Sequence, residues 1–494
     1  MAGDKKNNRI YIIGAGFTGT AIASEIRAKG IFGRVVAFLD DDADKIGSKI
    51  EGVPVLGPIG EVVSLLRQTP ADEALIAMPG ASREKLKELF QLLKKAEFAK
   101  IRILPRISQI VEGAAHLIQA REIDPQDLLA RSPVTINLTK SLAYLRGKRV
   151  LITGAGGSIG SELSRQLLSG GASRLYLLGH GENSIYEIDR ELRILQEEGV
   201  GEKATIVPII GDLKDADYTW FILSRLKADV IFHCAAYKHV PMSEANPVEV
   251  IRNNVFGTRH LVEAASQAGA QRVVFISTDK AVGPASVYGA SKKIAEEIVV
   301  QARSQKGLDF IVVRFGNVLG SRGSIVPLFR RQILKGGPLT ITHPEASRFF
   351  MTIPEAASLV LQAGGVGEGG NLYVLDMGDP LLIKDLAEQM IRFYGFEPEK
   401  DIPIVPVGLR PGEKLSENLW DANEKMETTR YRKINRIIRG ENAFPAVDDL
   451  LSKLRPVCFR DPLQSGLYRN RKILREILSS VIPYLEAPVD EPEY

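Results

Sequence analysis

The sequence predicts an α/β fold with two doubly wound parallel sheets, the second of which carries a smaller C-terminal substrate-binding lobe. Two short apolar strands, Arg9–Ile13 and Arg149–Thr153, each run directly into a glycine-rich turn and a helical pattern. After the second turn, apolar runs of strand length alternate with helical patterns. Alternation of this kind builds parallel sheets with helices on both faces. We therefore expect two Rossmann-like units in one chain.

The patterns divide the chain into four predicted segments. A first unit covers residues 1–115, a connector 116–146, a second unit with its lobe 147–440, and a helical tail 441–494. The tail is expected to be helical because apolar residues recur with helical spacing at Ile473–Ile482. Strands are expected at Val35–Leu39, Glu73–Ala77, Lys100–Leu104, Leu175–Leu178, Thr205–Ile210, Val230–His233, Val273–Ser277 and Ile311–Phe315.

Composition indicates an ordinary globular protein. Hydrophobic residues make up 45% of the 494 residues, and the net charge of +4 arises from 64 basic and 60 acidic residues, which gives no case for nucleic acid as a partner. Cys234 and Cys458 lie far apart and fit no metal-ligand spacing, so we expect neither zinc nor a disulfide.

No apolar run approaches the roughly 20 residues that cross a bilayer, and no signal-peptide pattern follows the N-terminus. Either the protein is naturally soluble or a membrane segment was removed ahead of residue 1. We expect a cytoplasmic location, at most peripheral to the inner membrane face.

The second glycine-rich turn is the stronger cofactor signal. Gly154 permits a tight turn, Gly157 lets a pyrophosphate approach the backbone, and Gly160 allows close helix packing. Ser158 and Ile159, at the start of the following helix, are included in the predicted contact. The alternative is a tight strand-to-helix turn that holds no nucleotide.

A second part of the predicted cofactor site follows a later strand. Asp212 and Leu213 would suit an adenine ring, although a plain loop aspartate is the alternative. Gly179 stands where a ribose-binding carboxylate is expected, and no adjacent arginine indicates a 2′-phosphate site. The predicted cofactor is therefore NAD, with NADP left open.

The first glycine motif consists of Gly14, Gly16 and Gly19. Asp40 lies about twenty residues beyond the last glycine, which is the spacing of a ribose-binding acid. Nothing near this motif has the pattern of a catalytic group. The first unit is therefore interpreted as a nucleotide-binding or regulatory domain, with a purely structural domain as the alternative.

Two acid–base pairs lie within the sixteen residues Ser277–Lys292. A strand that ends at Ser277 would deliver Asp279 and Lys280 to the carboxyl edge of the sheet, where open α/β folds bind ligands. Tyr288 and Lys292 are four residues apart, so a helix places both on one face. Together the pairs predict an enzyme that moves more than one proton.

Each pair suits a different step. A free tyrosine titrates near pH 10, and the ammonium group of Lys292 together with a nicotinamide charge would stabilise the phenolate of Tyr288. Tyr288 could then remove a hydroxyl proton as hydride leaves the same carbon. A neutral Lys280 could take a proton α to a ketone, and a protonated Asp279 could protonate a departing hydroxyl. The alternatives are a surface helix with chance spacing and a strand-end salt bridge.

The chain resembles the CapD-type polysaccharide-biosynthesis proteins, bacterial nucleotide-sugar dehydratases of the extended short-chain dehydrogenase class that act on UDP-N-acetylglucosamine. The resemblance covers residues 1–440. It is carried by Thr153–Glu162, His233–Pro241, Asn254–Thr258, Ser277–Lys280, Arg314–Ser324, Ser347–Met351 and Gly408–Lys414. Many large members hold Met where this chain has Tyr288, and they carry N-terminal transmembrane helices that this sequence does not show.

The resemblance implies a 4,6-dehydration that yields a 4-keto-6-deoxy sugar. Tyr288 would remove the carbon-4 hydroxyl proton, Lys280 the carbon-5 proton, and Asp279 would protonate the leaving carbon-6 hydroxyl, while Thr278 would hydrogen-bond the carbon-4 oxygen. Implied substrate contacts are Asn317, Arg322, Arg410 and Glu413 for the UDP moiety and Lys238 and His239 near the sugar. A salt bridge is the alternative for Arg410 and Glu413.

Two other functions stay open at this stage. A nucleotide-sugar 4-epimerase shares the cofactor and the Tyr288/Lys292 pair but has no use for Asp279 and Lys280. A non-catalytic nucleotide sensor has no use for any of the four. A homo-oligomer is expected because short-chain dehydrogenases commonly pair through helices.

Overall fold

The computed structural model describes residues 8–29, 33–78, 81–103, 121–122, 142–201, 203–306, 309–366, 370–439 and 444–485. The chain divides into two compact units, residues 1–135 and 136–494. Most of the predicted connector lies outside the described residues, as does Leu104 at the end of one predicted strand.

The α-helices in chain order are α1 (Phe17–Lys29), α2 (Val62–Gln68), α3 (Arg83–Lys95), α4 (Ser158–Ser169), α5 (Glu182–Glu197), α6 (Ala216–Leu226), α7 (Val240–Ala245), α8 (Pro247–Val250), α9 (Gly257–Gln267), α10 (Val287–Lys306), α11 (Ile325–Leu334), α12 (Ile353–Val366), α13 (Ile383–Phe393), α14 (Val447–Cys458) and α15 (Arg471–Ser479). A π-helical segment, Ile251–Phe256, joins α8 to α9, and short 3₁₀ turns occur at Ile59–Glu61, Ala143–Leu145, Asp279–Ala281 and Pro462–Leu467.

The strands in the same order are β1 (Arg9–Ile13), β2 (Arg34–Leu39), β3 (Lys49–Ile50), β4 (Val53–Pro54), β5 (Glu73–Ile76), β6 (Lys100–Ile103), β7 (Arg121–Glu122), β8 (Arg149–Thr153), β9 (Arg174–Gly179), β10 (Thr205–Ile210), β11 (Val230–His233), β12 (Arg272–Ile276), β13 (Asp309–Arg314), β14 (Asn317–Leu319), β15 (Leu339–Ile341), β16 (Ser347–Arg348), β17 (Phe350–Thr352), β18 (Asn371–Leu375), β19 (Leu381–Leu382), β20 (Ile404–Pro406), β21 (Glu424–Thr428) and β22 (Ile434–Arg439).

The first unit is built on a five-stranded sheet in the order β2-β1-β5-β6-β7. The first four of these strands are parallel, and only β7 runs antiparallel. Ile10, Tyr11, Ile12 and Ile13, four successive residues of β1, are all buried. Apolar side chains on both faces of a strand are what a parallel sheet covered by helices requires.

The second unit contains a nine-stranded sheet in the order β10-β9-β8-β11-β12-β13-β18-β22-β21. Strands β10 to β18 in that order are parallel, and β22 and β21 extend the edge antiparallel. The predicted fold class is confirmed. The strand order reverses direction between β8 and β11, and open sheets bind ligands at the carboxyl ends of strands beside such a point.

The smaller lobe follows β13. Three two-stranded sheets pair β14 with β17, β15 with β20 and β16 with β19. The lobe does not follow the strand–helix alternation of the large sheet, because its paired strands are short and come from distant parts of the sequence. Asn317 begins β14 directly after β13 of the large sheet, whereas Arg410 and Glu417 lie in the segment between β20 and β21.

The C-terminal helices pack on the second unit. Helix α14 lies against α10, where Gln301 accepts a hydrogen bond from Val447 N and donates one to the Pro445 carbonyl. The ring of Phe459 meets that of Phe256 edge-on, with centroids 5.0 Å apart. The tail helix predicted at 473–482 is present as α15. Since α14 covers part of α10, pairing of two chains through that part of α10 is blocked, and oligomerisation stays a prediction.

Candidate active site

The second glycine-rich turn has the geometry that its spacing predicts. Gly154 has φ +66°, and a Cβ there would lie 2.8 Å from the Cα of Ala235. A Cβ on Gly160 would meet the Gly154 carbonyl and lie 2.8 Å from the Cα of Ala155. Only glycine fits either position, so α4 can begin directly beneath the turn.

The start of α4 is suited to an anion. Gly157 is its N-cap and supplies no side-chain cap. The first backbone N–H groups of a helix have no intrahelical partners, and here they belong to Ser158, Ile159 and Gly160. Such N–H groups together with the helix dipole favour a phosphate. The turn therefore fits a dinucleotide pyrophosphate.

A buried histidine joins the ends of β8 and β11. The Thr258 hydroxyl donates to the Asn254 carbonyl, so His233 Nε2 donates to Thr258 Oγ1 at 2.9 Å. His233 Nδ1 then accepts from Thr153 Oγ1 at 2.7 Å. Burial lowers the pKa of His233 to about 3, with a smaller contribution from Lys292. A neutral imidazole thus fixes the two strands between which the cofactor is expected.

Asp212 and Leu213, which are predicted to contact the adenine, lie in the loop after β10. Asp212 Oδ1 accepts from Lys214 N at 2.9 Å, and the Lys214 ammonium lies 3.4 Å from Oδ2. Leu213 is buried and packs against the position of Gly257. Gly179 ends β9 where a ribose-binding acid would otherwise stand. The geometry leaves the choice between NAD and NADP as the sequence left it.

The Asp-Lys pair lies immediately after β12. Asp279 is fully buried, and its Oδ1 accepts hydrogen bonds from Thr278 Oγ1 at 2.8 Å and Lys280 Nζ at 3.0 Å. Lys280 Nζ also donates to Asn317 Oδ1 at 3.0 Å. Within the described part of the chain, Asp279 Oδ2 has no hydrogen-bond partner. A Cβ on Gly316 would lie 3.0 Å from that oxygen, so glycine leaves it room.

Tyr288 lies beside this pair. Its phenol is buried, and Thr278, Asp279 and Glu417 all influence its ionisation. Burial raises the pKa of Tyr288, Thr278 opposes that change, and the charges of Asp279 and Glu417 add to it. The protein alone therefore does not favour the phenolate, which differs from the expectation for the Tyr-x-x-x-Lys pair.

The reason for that difference is the position of Lys292. Its Nζ donates to the Ile276 carbonyl at 2.6 Å and lies 3.9 Å from the centroid of the Phe275 ring. Burial lowers the pKa of Lys292 to about 7, against the opposing influence of Glu296 and Cys234. A buried ammonium of this kind is only partly charged at neutral pH. The positive charge of a bound nicotinamide is then the second contribution that a phenolate at Tyr288 needs.

The sequence patterns missed Glu417. Its carboxylate is buried, with Oε1 3.8 Å from Lys280 Nζ and Oε2 3.6 Å from Lys414 Nζ. Burial raises the pKa of Glu417, Lys280 lowers it, and the negative charge of Asp279 raises it further. The only sequence signal was its position three residues after Lys414, at the end of one family string.

A buried network of ion pairs contacts Ser277, the residue that precedes the Thr278–Lys280 segment. Arg314, which is 1% exposed, donates from Nε and Nη2 to both oxygens of Glu296 at 2.7 and 2.8 Å, and from Nη1 to Glu424 at 2.7 Å. Ser277 Oγ donates to Glu296 as well, at 2.6 Å. Burial opposes ionisation, but Arg314 outweighs it and lowers the pKa of Glu296 to about 2. The network ties β12, β13, β21 and α10 together.

Of the predicted substrate residues, Lys238 and Asn317 lie close to Lys280. Lys238 Nζ donates to Ser321 Oγ at 3.3 Å, and its pKa is lowered by burial and by the charge of Lys280. The His239 ring lies against the position of Gly323, and burial together with Lys238 lowers its pKa. Asn317, described above, also contacts Lys280.

The predicted UDP-binding arginines have different surroundings. Arg322 is 62% exposed, pairs with Glu187 at 2.8 Å, and its backbone N–H donates to Ser158 Oγ at 3.2 Å. Arg410 pairs with Glu413 through Nε at 3.0 Å and is 56% exposed. Arg322 therefore lies next to the glycine-rich turn, while Arg410 and Glu413 form the salt bridge named above as their alternative.

The first unit has a glycine turn of its own. Gly14 has φ +104°, a Cβ on Gly19 would meet the Gly14 carbonyl, and Gly16 has open space. Asp40 Oδ2 accepts from Ala15 N at 2.6 Å, and its Oδ1 accepts from Asp42 N at 2.9 Å. Asp40, the predicted ribose-binding acid, therefore holds the glycine turn through a hydrogen bond to its backbone.

The described ranges include no helix that is long and apolar enough to cross a bilayer. In the same ranges, His, Cys, Asp and Glu side chains form no cluster of three or more that could hold a metal ion.

Comparison with known proteins relates both units to described families. Residues 150–439 match the family described as polysaccharide biosynthesis protein. Residues 2–105 match the CoA-binding domain. The probable polysaccharide biosynthesis protein EpsC of Bacillus subtilis is 41% identical over 419 residues, which cover 85% of this chain and 69% of that protein.

Shorter relatives match the second unit. The UDP-N-acetylglucosamine 4,6-dehydratase (inverting) of Campylobacter jejuni is 30% identical over 58% of this chain and 81% of its own length. The UDP-glucose 4-epimerase of Rickettsia canadensis is 32% identical over 56% and 79%. The solved structure of Pen from Bacillus thuringiensis, 32% identical, superposes with a TM-score of 0.55 over 61% of this chain and 92% of that one.

The nine-stranded sheet, its glycine-rich first turn and the Tyr288/Lys292 pair define a Rossmann-type unit of the extended short-chain dehydrogenase/reductase class. The chain belongs to the polysaccharide biosynthesis protein family, as the match over residues 150–439 and the 41% identity to EpsC show.

Proposed function

We propose that this protein is a nucleotide-sugar 4,6-dehydratase that converts UDP-N-acetylglucosamine to a UDP-4-keto-6-deoxy sugar. The observation that carries the proposal is the buried Asp279–Lys280 pair beside Tyr288, with Lys280 Nζ 3.0 Å from Asp279 Oδ1. Charged groups are costly to bury, and open α/β sheets bind their ligands at the carboxyl ends of the strands, where this pair lies. An acid and a base in contact are what loss of water requires.

The glycine-rich turn at Gly154–Gly160 and the adjacent start of α4 fit NAD. When bound, this cofactor would supply hydride transfer from sugar carbon 4 and its return to carbon 6. Ser158, Ile159 and Gly160 would hold its pyrophosphate through backbone N–H groups, and Asp212 and Leu213 would lie near its adenine. Lys292 would lie under the reacting end, since it is held against Ile276 at the end of β12.

The protein residues divide the proton transfers between them. Tyr288 takes the carbon-4 hydroxyl proton as the ketone forms, and Thr278 hydrogen-bonds the same oxygen. The ketone acidifies the carbon-5 proton, which neutral Lys280 removes, while Asp279 protonates the departing carbon-6 hydroxyl so that it leaves as water. Lys280 then returns its proton to carbon 5.

Binding of the nucleotide is assigned to the lobe. Arg410 would release Glu413 and bind the diphosphate instead. A guanidinium group can donate two parallel hydrogen bonds to one phosphate. Lys238, His239 and Asn317 would line the sugar, and Arg322 the side nearest the glycine turn. For the first unit we propose a nucleotide-binding or regulatory role, supported by the open space at Gly16.

A UDP-sugar 4-epimerase is the second candidate, because the relatives include one so named and Tyr288/Lys292 would serve it equally. An epimerase returns hydride to carbon 4, so it has no need for an acid and a base that eliminate water. The burial of Asp279 and its contact with Lys280 favour the dehydratase.

The test is incubation of the purified protein and NAD with UDP-N-acetylglucosamine, followed by mass spectrometry and NMR of the sugar. We expect loss of one water and a new methyl group. An unchanged mass with inverted carbon 4 would establish the epimerase instead. Lys280→Met should abolish water loss, whereas Lys384→Met, which changes a lysine on α13 of the lobe, serves as the matched control. Normal turnover in the Lys280 variant would overturn the assignment.

A further inference from the structure

One loop of the lobe contacts the glycine-rich turn and the helix beside it. The loop, residues 320–324, connects β14 to α11. The backbone N–H of Arg322 donates to Ser158 Oγ at 3.2 Å, and the Arg322 side chain pairs with Glu187 Oε2 at 2.8 Å. Ser158 begins α4, and Glu187 lies in the second turn of α5. A single lobe residue therefore joins the two helices that follow the first two strands of the second unit.

These two helices meet at the glycine-rich turn. A Cβ on Gly156 would collide with Ser184 of α5, so α5 packs directly against the turn. Ser158 Oγ accepts from the lobe, which leaves its O–H group able to donate to a phosphate oxygen. In the same loop, Ser321 Oγ accepts from Lys238 Nζ at 3.3 Å. The loop is therefore attached to three segments that border the predicted cofactor site.

The proposed reaction requires the cofactor to stay bound throughout a cycle. The inference below rests on the part of the proposed function that assigns NAD to the glycine-rich turn. The sugar gives up hydride at carbon 4 and takes it back at carbon 6. Early loss of NADH would therefore leave the sugar oxidised and the enzyme without a hydride donor. A contact that fastens the lobe to α5 beside the turn would oppose that loss.

We propose that the Arg322–Glu187 ion pair is a clamp that holds the lobe loop beside the glycine-rich turn and slows the release of NAD. When the pair opens, the loop loses its link to α5 and keeps the bond from Arg322 N to Ser158 Oγ. The two side chains are 62% and 64% exposed, so the pair opens without disturbing the core. Arg322 is then a positioning residue for the cofactor site and does not itself bind the cofactor phosphates.

Electrostatics distinguish this clamp from direct phosphate binding. Glu187→Gln removes a negative charge near an anionic ligand, and this change of charge alone would slow release. Direct binding of the pyrophosphate by Arg322 predicts the same direction, because the variant frees the guanidinium from a competing carboxylate. The clamp predicts the opposite, which is faster release from Glu187→Gln.

The experiment measures the release of NAD from the full chain. The wild type, Glu187→Gln, Arg322→Gln and the double variant are loaded with radiolabelled NAD, mixed with excess unlabelled NAD, and filtered at intervals. Glu427→Gln is the matched control, because it breaks another exposed ion pair, with Arg436, at the opposite edge of the large sheet. Thermal melting of the cofactor-free proteins reports whether a variant alters the fold itself.

We expect release to be about threefold faster in each single variant, the size of effect that one exposed ion pair produces. The double variant should be no faster than the single variants, because both remove the same pair. Glu427→Gln should release NAD at the wild-type rate, and the cofactor-free proteins should melt at the same temperature.

Unchanged or slower release from Glu187→Gln would overturn the clamp, and so would a wild type that retains no NAD. Faster release together with a lower melting temperature would also overturn it, because a loosened fold would then explain the release. The proposed function is decided separately, by whether the wild type forms dehydrated sugar from UDP-N-acetylglucosamine.

Discussion

The backbone N–H of Val287 donates a 2.7 Å hydrogen bond to Glu244 Oε1, so a carboxylate at the end of α7 holds the first residue of the helix that carries Tyr288. The other oxygen of Glu244 pairs with Arg475 Nη1 at 3.0 Å, and the Glu244 carbonyl accepts from Arg471 and Arg475. Helix α15 thus contacts the start of the helix that carries Tyr288 through one glutamate.

Replacing that glutamate tests the connection. Glu244→Gln leaves the buried Arg475 without its counter-ion, and breaking a buried pair in this way costs about 3 kcal/mol. We expect a loss of that order in the free energy of unfolding and a fall in kcat with little change in KM, because Tyr288 is displaced and the substrate contacts are not. Glu263→Gln, which breaks the more exposed pair with Arg259, should change stability by less than about 1 kcal/mol. Equal effects of the two variants would contradict the positioning role.

The buried Lys292 should make stability depend on pH. Burial lowers its pKa from 10.5 to about 7, so between these values the unfolded chain binds a proton that the folded protein does not. Unfolding is then favoured at the lower pH, and the contribution of Lys292 to the free energy of unfolding rises as pH increases from about 7 to 10.

Urea unfolding of the wild type and Lys292→Met at about pH 6.5, 8 and 9.5 measures this effect. The stability of the wild type relative to the variant should increase over the series. Lys293→Met, which removes the neighbouring lysine that pairs with Glu297, is the control and should show no such trend. A constant difference between wild type and Lys292→Met would show that the buried amine does not titrate in this range.

The two glycines of the first unit should respond differently to alanine. A Cβ at position 19 would collide with the Gly14 carbonyl, whereas nothing lies within 4 Å of one at position 16. Gly19→Ala is expected to lower the melting temperature of the first unit by several degrees, since overpacking costs about 1–3 kcal/mol. Gly16→Ala should leave it unchanged. Thermal unfolding of the full chain compares them, and an equal loss in both would mean that the turn differs from the one described.

Glu417 should set the lower pH limit of activity. Its carboxylate lies 3.8 Å from Lys280 Nζ, and a nearby negative charge favours the ammonium form of lysine, which cannot act as a base. Glu417→Gln removes that charge with little change in size. We expect the acidic limb of the kcat profile to move to lower pH. Glu413→Gln changes a nearby acid that contacts Arg410 instead, and its acidic limb should stay in place. If kcat depends on pH in the same way in the wild type and in Glu417→Gln, then Glu417 does not influence proton removal by Lys280.

The elements that the sequence predicted are those with a local signal. Apolar runs such as Val230–His233 became buried strands with nearly the expected bounds, and the spacing of Gly154, Gly157 and Gly160 predicted a turn that admits no side chain at two of its positions. The contact between Asp279 and Lys280 also followed, because neighbouring residues after a strand share the sheet edge.

The parts that escaped prediction depend on contacts between distant segments. Glu417 meets Lys280 across 137 positions of sequence, and Glu244 meets Arg475 across 231. No periodicity records such pairs. The weak charge of Lys292 was missed for a related reason, since a pKa depends on burial, and burial of one amine cannot be read from a spacing of four.

The lone oxygen of Asp279 has a consequence for how this protein would respond to selection. A buried acceptor without a partner among the described residues costs about 1–3 kcal/mol. Asparagine at this position would keep an acceptor for Thr278 and Lys280 and would remove the buried negative charge. Directed evolution for heat resistance alone should therefore enrich substitutions at Asp279 and yield proteins that are more stable but inactive. A screen that also requires product formation should keep the aspartate.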